Sequence, residues 1–289
     1  MLKNNFALGF WRLDDAKISA NQTIELVEKA LELGITTMDH ADIYGEYKCE
    51  KLFGDALKNH SHLRDKMQIV SKCDIKFECD FTPNHKVKHY DLSAKSIKNS
   101  VENSLKNLRT DYLDILLVHR PSPLMNANEI ADTFKELQKE GKVKEFGVSN
   151  FTPSQFELLN SLIPLRTNQV EMSVLHTDTF YDGTLDQLQK YGVRPMAWSP
   201  LAGGKIFNPQ TVQEKQLCGF MNSLVAKYNA QSIDQIAMAW LLKHPVNTQV
   251  IIGSQKVSRL EQAVNSQDID LTVQDWFKIL EISNGHEAP

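Results

Sequence analysis

Short runs of apolar and β-branched residues alternate along the chain with longer stretches whose apolar residues recur every three or four positions. Runs of the first kind predict buried strands, and stretches of the second kind predict amphipathic helices. Eight strand candidates lie at 6–10, 35–38, 68–72, 112–119, 145–150, 168–173, 194–200 and 250–254. Such alternation predicts a parallel sheet whose strands are joined by helical crossovers.

Capping residues and glycines mark where the predicted helices begin and end. Ser19 and Gln22 form a capping-box pattern before the apolar residues of the first helix, and Gly34 ends that helix. Thr152 and Pro153 supply an N-cap and a first-turn proline for a later helix. The other predicted helices lie at 49–57, 97–108, 130–137, 185–191, 232–240, 256–265 and 273–282.

A further helix cap and one segment without clear periodicity complete the pattern. The pair Ser232 and Gln235 predicts a cap for the helix that carries Trp240. The segment 74–91 is polar, is interrupted by Pro83 and predicts a long loop after the third strand.

The length of the chain and a missing motif bear on the choice between two parallel-sheet architectures. Its 289 residues suit eight β/α units, which need about 250 residues. No GxGxxG follows the first strand, which disfavours an open, doubly wound dinucleotide-binding sheet. No linker rich in proline, glycine or serine divides the chain. We therefore predict an α/β fold in a single domain over residues 1–289; these features favour a (β/α)8 TIM barrel, and the open doubly wound sheet stays the alternative on the pattern alone.

Composition and charge exclude several classes of partner. A net charge of −4 and a pI near 6.1 provide no basic field for nucleic acid or anionic lipid. No apolar run approaches the length of a membrane span, and the first ten residues lack signal-peptide architecture. The four cysteines form no CxxC pair. These features predict reduced thiols in a cytoplasmic protein.

The stretch from Ile35 to Gly45 carries the clearest chemical pattern. Asp39 directly follows the second predicted strand, and Tyr44 comes five residues later. This arrangement resembles the second strand of the aldo-keto reductase barrel. Motifs in the family's order extend the resemblance over nearly the whole chain: QIVSK (68–72), DILLVHRP (114–121), GVSNF (147–151), NQVE (168–171), WSPLAGG (198–204) and IIGS (251–254).

The resemblance implies a catalytic tetrad of Asp39, Tyr44, Lys72 and His119. Each lies at or just after the end of a predicted strand, where a TIM barrel builds its active site. In the implied roles Tyr44 is the general acid and Lys72 its electrostatic activator. Asp39 is then the partner of the lysine, and His119 orients the carbonyl.

The physical chemistry of carbonyl reduction agrees with these roles. The reaction needs a hydride on the carbonyl carbon and a proton on the oxygen. A phenol with a pKa near 10 is a weak acid at pH 7 but a good hydrogen-bond donor. A nearby ammonium stabilises the phenolate that forms, and a buried ammonium needs a carboxylate partner.

The hydride has to come from a cofactor, because no side chain donates one. The resemblance implies NADP, as NADPH, lying across the barrel mouth. It places the nicotinamide carboxamide on Ser149, Asn150 and Gln169, whose polar groups suit an amide that both donates and accepts. It also implies that Trp198, where the family more often has a tyrosine, stacks on the nicotinamide ring.

The resemblance also implies where the rest of NADP lies. The implied pyrophosphate residues are Ser199, Leu201 and Gly203, a stretch whose glycines allow close backbone approach. The implied residues for the 2′-phosphate and adenine are Gly253, Ser254, Ser258, Arg259 and Gln262. Gly9 and Trp11, at the end of the first strand, are further candidates for facing the cofactor.

Two positions depart from the family pattern and concern 2′-phosphate recognition. Gly253 stands where many members have a lysine, and Ala263 stands where many have an asparagine. Arg259 is the permanently charged donor of this stretch, and its planar fork suits phosphate. These departures predict a moderate preference for NADPH over NADH.

Two other functions fit parts of the sequence. Asp39, His40, Asp42 and His119 are conceivable ligands of a metal-dependent barrel hydrolase, although no HxH ends a strand and Lys72 would place a like charge beside the ion. A non-catalytic NADP-binding sensor on the same barrel is the other alternative. We expect a reductase of a small-molecule carbonyl substrate without a metal, and the sequence leaves the substrate and the oligomeric state open.

Overall fold

Eight parallel strands close into a barrel in the computed structural model, which describes residues 4–287. Around the barrel the strand order is β1, β10, β9, β8, β7, β6, β3 and β2. The strands are β1 Phe6–Gly9, β2 Thr37–Asp39, β3 Gln68–Cys73, β4 Ile75–Lys76, β5 His89–Tyr90, β6 Leu113–Val118, β7 Val143–Ser149, β8 Leu165–Glu171, β9 Met196–Trp198 and β10 Gln249–Ile252. This closed barrel confirms the predicted (β/α)8 fold.

Helices surround the barrel and connect its strands. They are α1 Leu13–Ala16, α2 Ala20–Glu32, α3 Tyr44–Tyr47, α4 Cys49–Leu57, α5 Ala94–Leu108, α6 Ala127–Lys139, α7 Pro153–Asn160, α8 Thr184–Tyr191, α9 Val212–Lys227, α10 Ile233–Leu242, α11 Val257–Asn265 and α12 Val273–Asn284. Short 3₁₀ segments lie at Ser61–Lys66, Asp178–Phe180, Ala202–Phe207 and Ser266–Asp268. Within residues 4–287 no helix is long and apolar enough to cross a membrane.

The strands separate two apolar cores, because successive side chains point to opposite faces of a strand. In β1, for example, Ala7 belongs to the small inner core and Leu8 to the large outer one. The inner core fills the barrel with Ala7, Val70, Ile115, Leu117, Met196 and Ile251. The outer core lies between the strands and the helices. The barrel is therefore a packed support for residues at its strand ends.

The structure confirms most of the predicted caps. Ser19 with Gln22 forms a capping box at α2, and Thr152 begins α7 with a capping box and the first-turn proline. Gly34 has a φ of +79°, which suits the end of α2. Ile35 was predicted to begin the second strand, but its N–H caps α2 by donating to the Ala30 carbonyl at 2.8 Å.

Three sequence predictions need correction. The predicted loop 74–91 contains the antiparallel pair of β4 and β5. The Ser232 hydroxyl donates to Asp234 and does not cap the backbone of α10, while the Gln235 side chain accepts from the Gln231 N–H at 2.7 Å. The sequence prediction also missed α9, although Thr211 and Glu214 form a capping box that marks its start.

Candidate active site

Lys72 is the centre of the polar group at the strand ends, and its side chain is fully buried. Its Nζ donates to the Asp39 carboxylate at 2.8 and 3.0 Å, to the His40 carbonyl at 2.6 Å and to the Tyr44 hydroxyl oxygen at 2.9 Å. An ammonium has three protons, and these three partners account for them. The Tyr44 oxygen therefore accepts from Lys72, which leaves the phenolic proton available to another acceptor.

The backbone around Tyr44 explains how the side chain reaches this point. Tyr44 begins the short helix α3 immediately after β2, and Gly45 follows with a φ of +58°. A Cβ at Gly45 would lie 2.6 Å from the Cys49 sulfur, so both the dihedral angle and the space require glycine. The tight turn after Asp39 thereby brings the phenol back over the strand ends.

Opposing effects act on the pKa values of the lysine and the tyrosine. Burial alone would lower the pKa of Lys72, but the charge and hydrogen bonds of Asp39 and Tyr44 raise it above 10.5. Burial raises the pKa of Tyr44, and the positive charge of Lys72 opposes that increase. At neutral pH the site therefore holds a protonated lysine against a protonated phenol, the starting state for proton donation.

His119 follows β6 and faces the same tyrosine. The two ring centroids are 6.0 Å apart, with an interplanar angle of 79°. The backbone N–H of His119 donates to the Cys73 carbonyl at 3.1 Å, while the ring Nδ1 has no partner among the described residues. Burial first, and then the charges of Lys72 and Arg120, hold the pKa of His119 well below 6.5. The imidazole is therefore neutral at pH 7 and lies beside the phenol as a ring contact.

A chain of hydrogen bonds joins the predicted nicotinamide residues to the tetrad. Gln169 donates from Nε2 to Asp39 Oδ1 at 2.7 Å. The Ser149 hydroxyl donates to the Gln169 carbonyl at 2.8 Å and accepts from Asn150 Nδ2 at 2.7 Å. Trp198 Nε1 donates to Asn150 Oδ1 at 3.0 Å. The ends of β7, β8 and β9 therefore present one connected polar surface beside the tetrad.

The turn after β9 holds the residues predicted for the pyrophosphate. Ser199 and Gly203 both have positive φ angles, +51° and +65°. The Leu201 carbonyl accepts from the Gly204 N–H at 2.9 Å and closes the turn. A Cβ at Gly203 or Gly253 would meet no atom within 4 Å, so the backbone borders open space at both positions. This geometry fits a group that approaches the main chain closely.

Arg259 lies on α11, and its side chain already has neighbours. Its Nη1 is 3.5 Å from Asp234 Oδ2, and its guanidinium carbon is 5.6 Å from the centre of the Phe207 ring. The Asp234 side chain is buried, whereas that of Arg259 is 45% exposed. A phosphate that binds Arg259 therefore competes with a buried carboxylate.

The other predicted adenosine residues surround the start of α11. Ser254 accepts from the Lys256 N–H at 3.3 Å, and Ser258 is exposed on the first turn. The Gln262 carbonyl accepts from Gln235 Nε2 at 2.8 Å, while its Oε1 is buried without a partner among residues 4–287. These side chains share one surface with Arg259.

Gly9 and Trp11 occupy different environments at the end of β1. A Cβ at Gly9 would lie 2.8 Å from Ile251 Cγ2, and the Gly9 carbonyl accepts from Gln255 Nε2 at 2.8 Å. Packing against β10 therefore explains this glycine without a ligand. Trp11 is 58% exposed, and the guanidinium of Arg12 lies 5.0 Å from its ring centre.

Arg120 is a site residue that the sequence prediction did not select. Its N–H donates to Asp74 Oδ2 at 2.9 Å, and its guanidinium carbon lies 5.7 Å from the Trp198 ring centre. Its charge lowers the pKa values of both Tyr44 and His119, although burial is the largest influence on each. Over residues 4–287 it forms no ion pair. Its position next to His119 in the HRP motif was the available signal.

The carboxylates and histidines named as conceivable metal ligands contact different neighbours. The His40 ring is stacked on Phe10 at 4.6 Å and packs edge-on against Phe53 at 4.4 Å. Burial lowers the pKa of His40 to about 3. Asp42 accepts from the Ser100 hydroxyl, and the Asp39 carboxylate forms the ion pair with the buried Lys72. These groups therefore face separate neighbours.

Comparison with known proteins gives a consistent result over almost the whole chain. The profile described as "Aldo/keto reductase family" matches residues 5–284. Oxidoreductase YdhF of Escherichia coli (strain K12) is 48% identical over 288 residues, which cover 99% of this chain and 95% of that protein. A 6-dehydroglucose reductase of Agrobacterium fabrum (strain C58) is 42% identical over 285 residues, with coverages of 97% and 94%.

Solved structures show the same architecture. The thermostable aldo-keto reductase Tm1743, in complex with the inhibitor epalrestat, has a TM-score of 0.79 and 27% identity, covering 97% of this chain and 95% of its own. An aldo/keto reductase from Klebsiella pneumoniae in complex with NADP and acetate has a TM-score of 0.78 and 24% identity, with coverages of 99% and 92%. The second likeness concerns the fold alone.

Proposed function

The chain belongs to the aldo/keto reductase family, and on that premise we propose that Tyr44 donates the proton when this NADP-dependent oxidoreductase reduces an aldehyde or ketone. One observation carries the proposal: Lys72 donates to the Tyr44 oxygen at 2.9 Å. Because that oxygen is the acceptor in this contact, the phenolic proton is directed to a different partner. A substrate oxygen at the barrel mouth would be that partner.

Bound NADPH would supply the hydride, and the side chains manage the proton. As Tyr44 releases its proton, negative charge develops on an oxygen that already accepts from an ammonium. Asp39 keeps that ammonium charged in a buried setting. The neutral imidazole of His119 adds a polar group beside the phenol that can orient a carbonyl.

We assign the cofactor contacts to the polar surface at the ends of β7 to β10. Ser149, Asn150 and Gln169 would hold the nicotinamide amide, and Gln169 would contact it through Oε1 because its Nε2 donates to Asp39. The open backbone after β9 would receive the pyrophosphate, and Arg259 the 2′-phosphate. A cytoplasmic location is part of the proposal.

The substrate we propose is a small, hydroxylated aldehyde or ketone. Arg120 supports this class, because its guanidinium lies 5.7 Å from the Trp198 ring centre, has no ion-pair partner among residues 4–287, and lowers the pKa values of Tyr44 and His119 by its charge. Hydroxyl oxygens are suitable acceptors for such a donor. The relatives named 6-dehydroglucose reductase, at 42% and 34% identity, point to the same class.

A substrate panel tests the proposal. NADPH oxidation is followed with 6-dehydroglucose, other hydroxylated aldehydes and apolar aldehydes of similar size, each with and without EDTA. We expect turnover that favours hydroxylated compounds and is insensitive to EDTA. Arg120→Ala should raise KM for hydroxylated substrates and leave apolar ones nearly unchanged. NADPH binding without turnover of any carbonyl would favour the sensor, and loss of activity with EDTA would favour a metal centre.

A further inference from the structure

Two histidines and a glutamate come together on the side of the barrel opposite the candidate active site. Glu28 lies on α2, and His60 and His62 lie in the turn that precedes β3. One potential ligand atom from each side chain lies within 4.8 Å of the other two. Because this turn enters β3 at its N-terminal end, the cluster is separated by the length of the barrel from Lys72.

The three side chains are free to bind a ligand but are carried by ordered backbone. Across residues 4–287 none of these side chains has a hydrogen bond or ion pair, and the centroids of the two imidazole rings are 6.0 Å apart. The backbone N–H of His60 donates to the Leu57 carbonyl at 2.8 Å, and the backbone carbonyl of His60 accepts from the Leu63 N–H at 2.9 Å. Leu63 is buried and anchors the turn.

The ligand set selects the class of ion. Two imidazole nitrogens and one carboxylate oxygen suit zinc and its neighbours in the first transition series, whereas magnesium and calcium prefer oxygen ligands. Bonds of about 2.0–2.1 Å in a tetrahedron place neighbouring ligand atoms about 3.3 Å apart. The atoms of this cluster need to approach by about 1.5 Å at most, which the exposed Glu28 and His62 and the half-buried His60 achieve by small side-chain rotations.

We propose that Glu28, His60 and His62 form a binding site for a divalent transition-metal ion, with Zn²⁺ as the best match. Water would complete the tetrahedron. The ion would tie α2 to the turn before β3 on the N-terminal face of the barrel, where TIM barrels carry stability and not catalysis. The expected effect is therefore on thermal stability, with carbonyl reduction unchanged.

The test titrates Zn²⁺ into the full-length, chelator-treated protein by isothermal titration calorimetry at pH 7.5. We expect one strong site per chain and, with zinc about a hundredfold above Kd, a rise in Tm of about 5 °C. His60→Ala/His62→Ala should weaken binding by at least about a hundredfold and abolish the rise in Tm. Glu28→Gln should weaken binding by about tenfold.

A matched control removes another pair of histidines. His85 and His89 also lie close together, with ring centroids 5.4 Å apart, but on the β4–β5 segment. His85→Ala/His89→Ala should bind Zn²⁺ as the wild type does. The proposal is overturned if the wild type shows no saturable binding at 100-fold excess zinc. It is equally overturned if the His60/His62 variant retains binding that the His85/His89 variant loses.

Discussion

Removing one partner of the Asp39–Lys72 ion pair should destabilise the fold strongly. The Asp39 side chain is 4% exposed and that of Lys72 is 0% exposed, with 2.8 Å between Oδ1 and Nζ. At that distance the attraction between unit charges is about 6 kcal/mol with an effective dielectric constant of about 20. Asp39→Asn leaves the ammonium buried without a counter-charge, so the free energy of unfolding should fall by about 3–5 kcal/mol.

A double-mutant cycle separates the stability of this pair from its catalytic role. Lys72→Met should also destabilise the protein, by leaving Asp39 with Gln169 as its remaining side-chain donor. The double variant Asp39→Asn/Lys72→Met contains no unpaired charge, so its loss of unfolding free energy should be smaller than the sum of the two single-variant losses by about 2–3 kcal/mol. Its carbonyl turnover should nevertheless stay as low as that of Lys72→Met.

Chemical denaturation at pH 7, followed by tryptophan fluorescence, measures the free energy of unfolding of the wild type, the two single variants and the double variant. NADPH oxidation under single-turnover conditions measures the chemical step. A loss of less than about 1 kcal/mol in Asp39→Asn, or additive losses in the double variant, would refute the buried ion pair. Wild-type turnover in the double variant would refute the role of Lys72 as activator of the phenol.

Three further predictions concern the rest of the chain. Burial raises the pKa of Glu50 to about 7 from 4.5. The protonated side chain therefore makes its full contribution to the free energy of unfolding below pH 4.5, and this contribution is lost as the pH rises through 7. Urea unfolding should therefore show Glu50→Gln more stable than the wild type by about 3 kcal/mol at pH 8 and nearly equal to it at pH 4.5, and a pH-independent difference would contradict this. Arg259→Ala should weaken NADPH binding about tenfold and leave NADH binding nearly unchanged, both measured by calorimetry. The effect is moderate because the contact with Asp234 already occupies part of the guanidinium. Equal weakening of both cofactors would argue against Arg259 as the residue that binds the 2′-phosphate. Gly54→Ala places a Cβ 2.0 Å from the Asn107 carbonyl oxygen where α4 meets α5, so it should cost about 1–3 kcal/mol of unfolding free energy, and unchanged stability would disprove this close packing.

The sequence predicts those parts of the molecule that depend on local pattern. The apolar run 112–119 is long and continuous, and β6 is indeed buried along its whole length. The prediction at Asp39, Tyr44 and Lys72 depends on their positions at strand ends, because closing the barrel brings such residues together. The capping pattern at Ser19 succeeded since it involves residues three apart.

The features that escaped prediction depend on contacts between distant parts of the chain. The sequence around Arg259 does not reveal its contact with Asp234, which lies 25 residues earlier on another helix. Arg120 lies in a recognisable motif, but only the closed barrel places it beside Tyr44. A serine before a helix can cap the backbone or, as Ser232 does with Asp234, donate to a nearby carboxylate, and the sequence alone does not rank the two.

Turnover of the Tyr44→Phe variant tests the central claim most directly. The substitution keeps the ring beside His119 and removes the oxygen that accepts from Lys72. With any carbonyl that the wild type reduces, we expect kcat to fall by at least about a hundredfold. The Kd for NADPH, measured by fluorescence titration, should change little, because the hydroxyl serves the substrate oxygen. A kcat within about threefold of the wild type would contradict the account and assign the proton to another group.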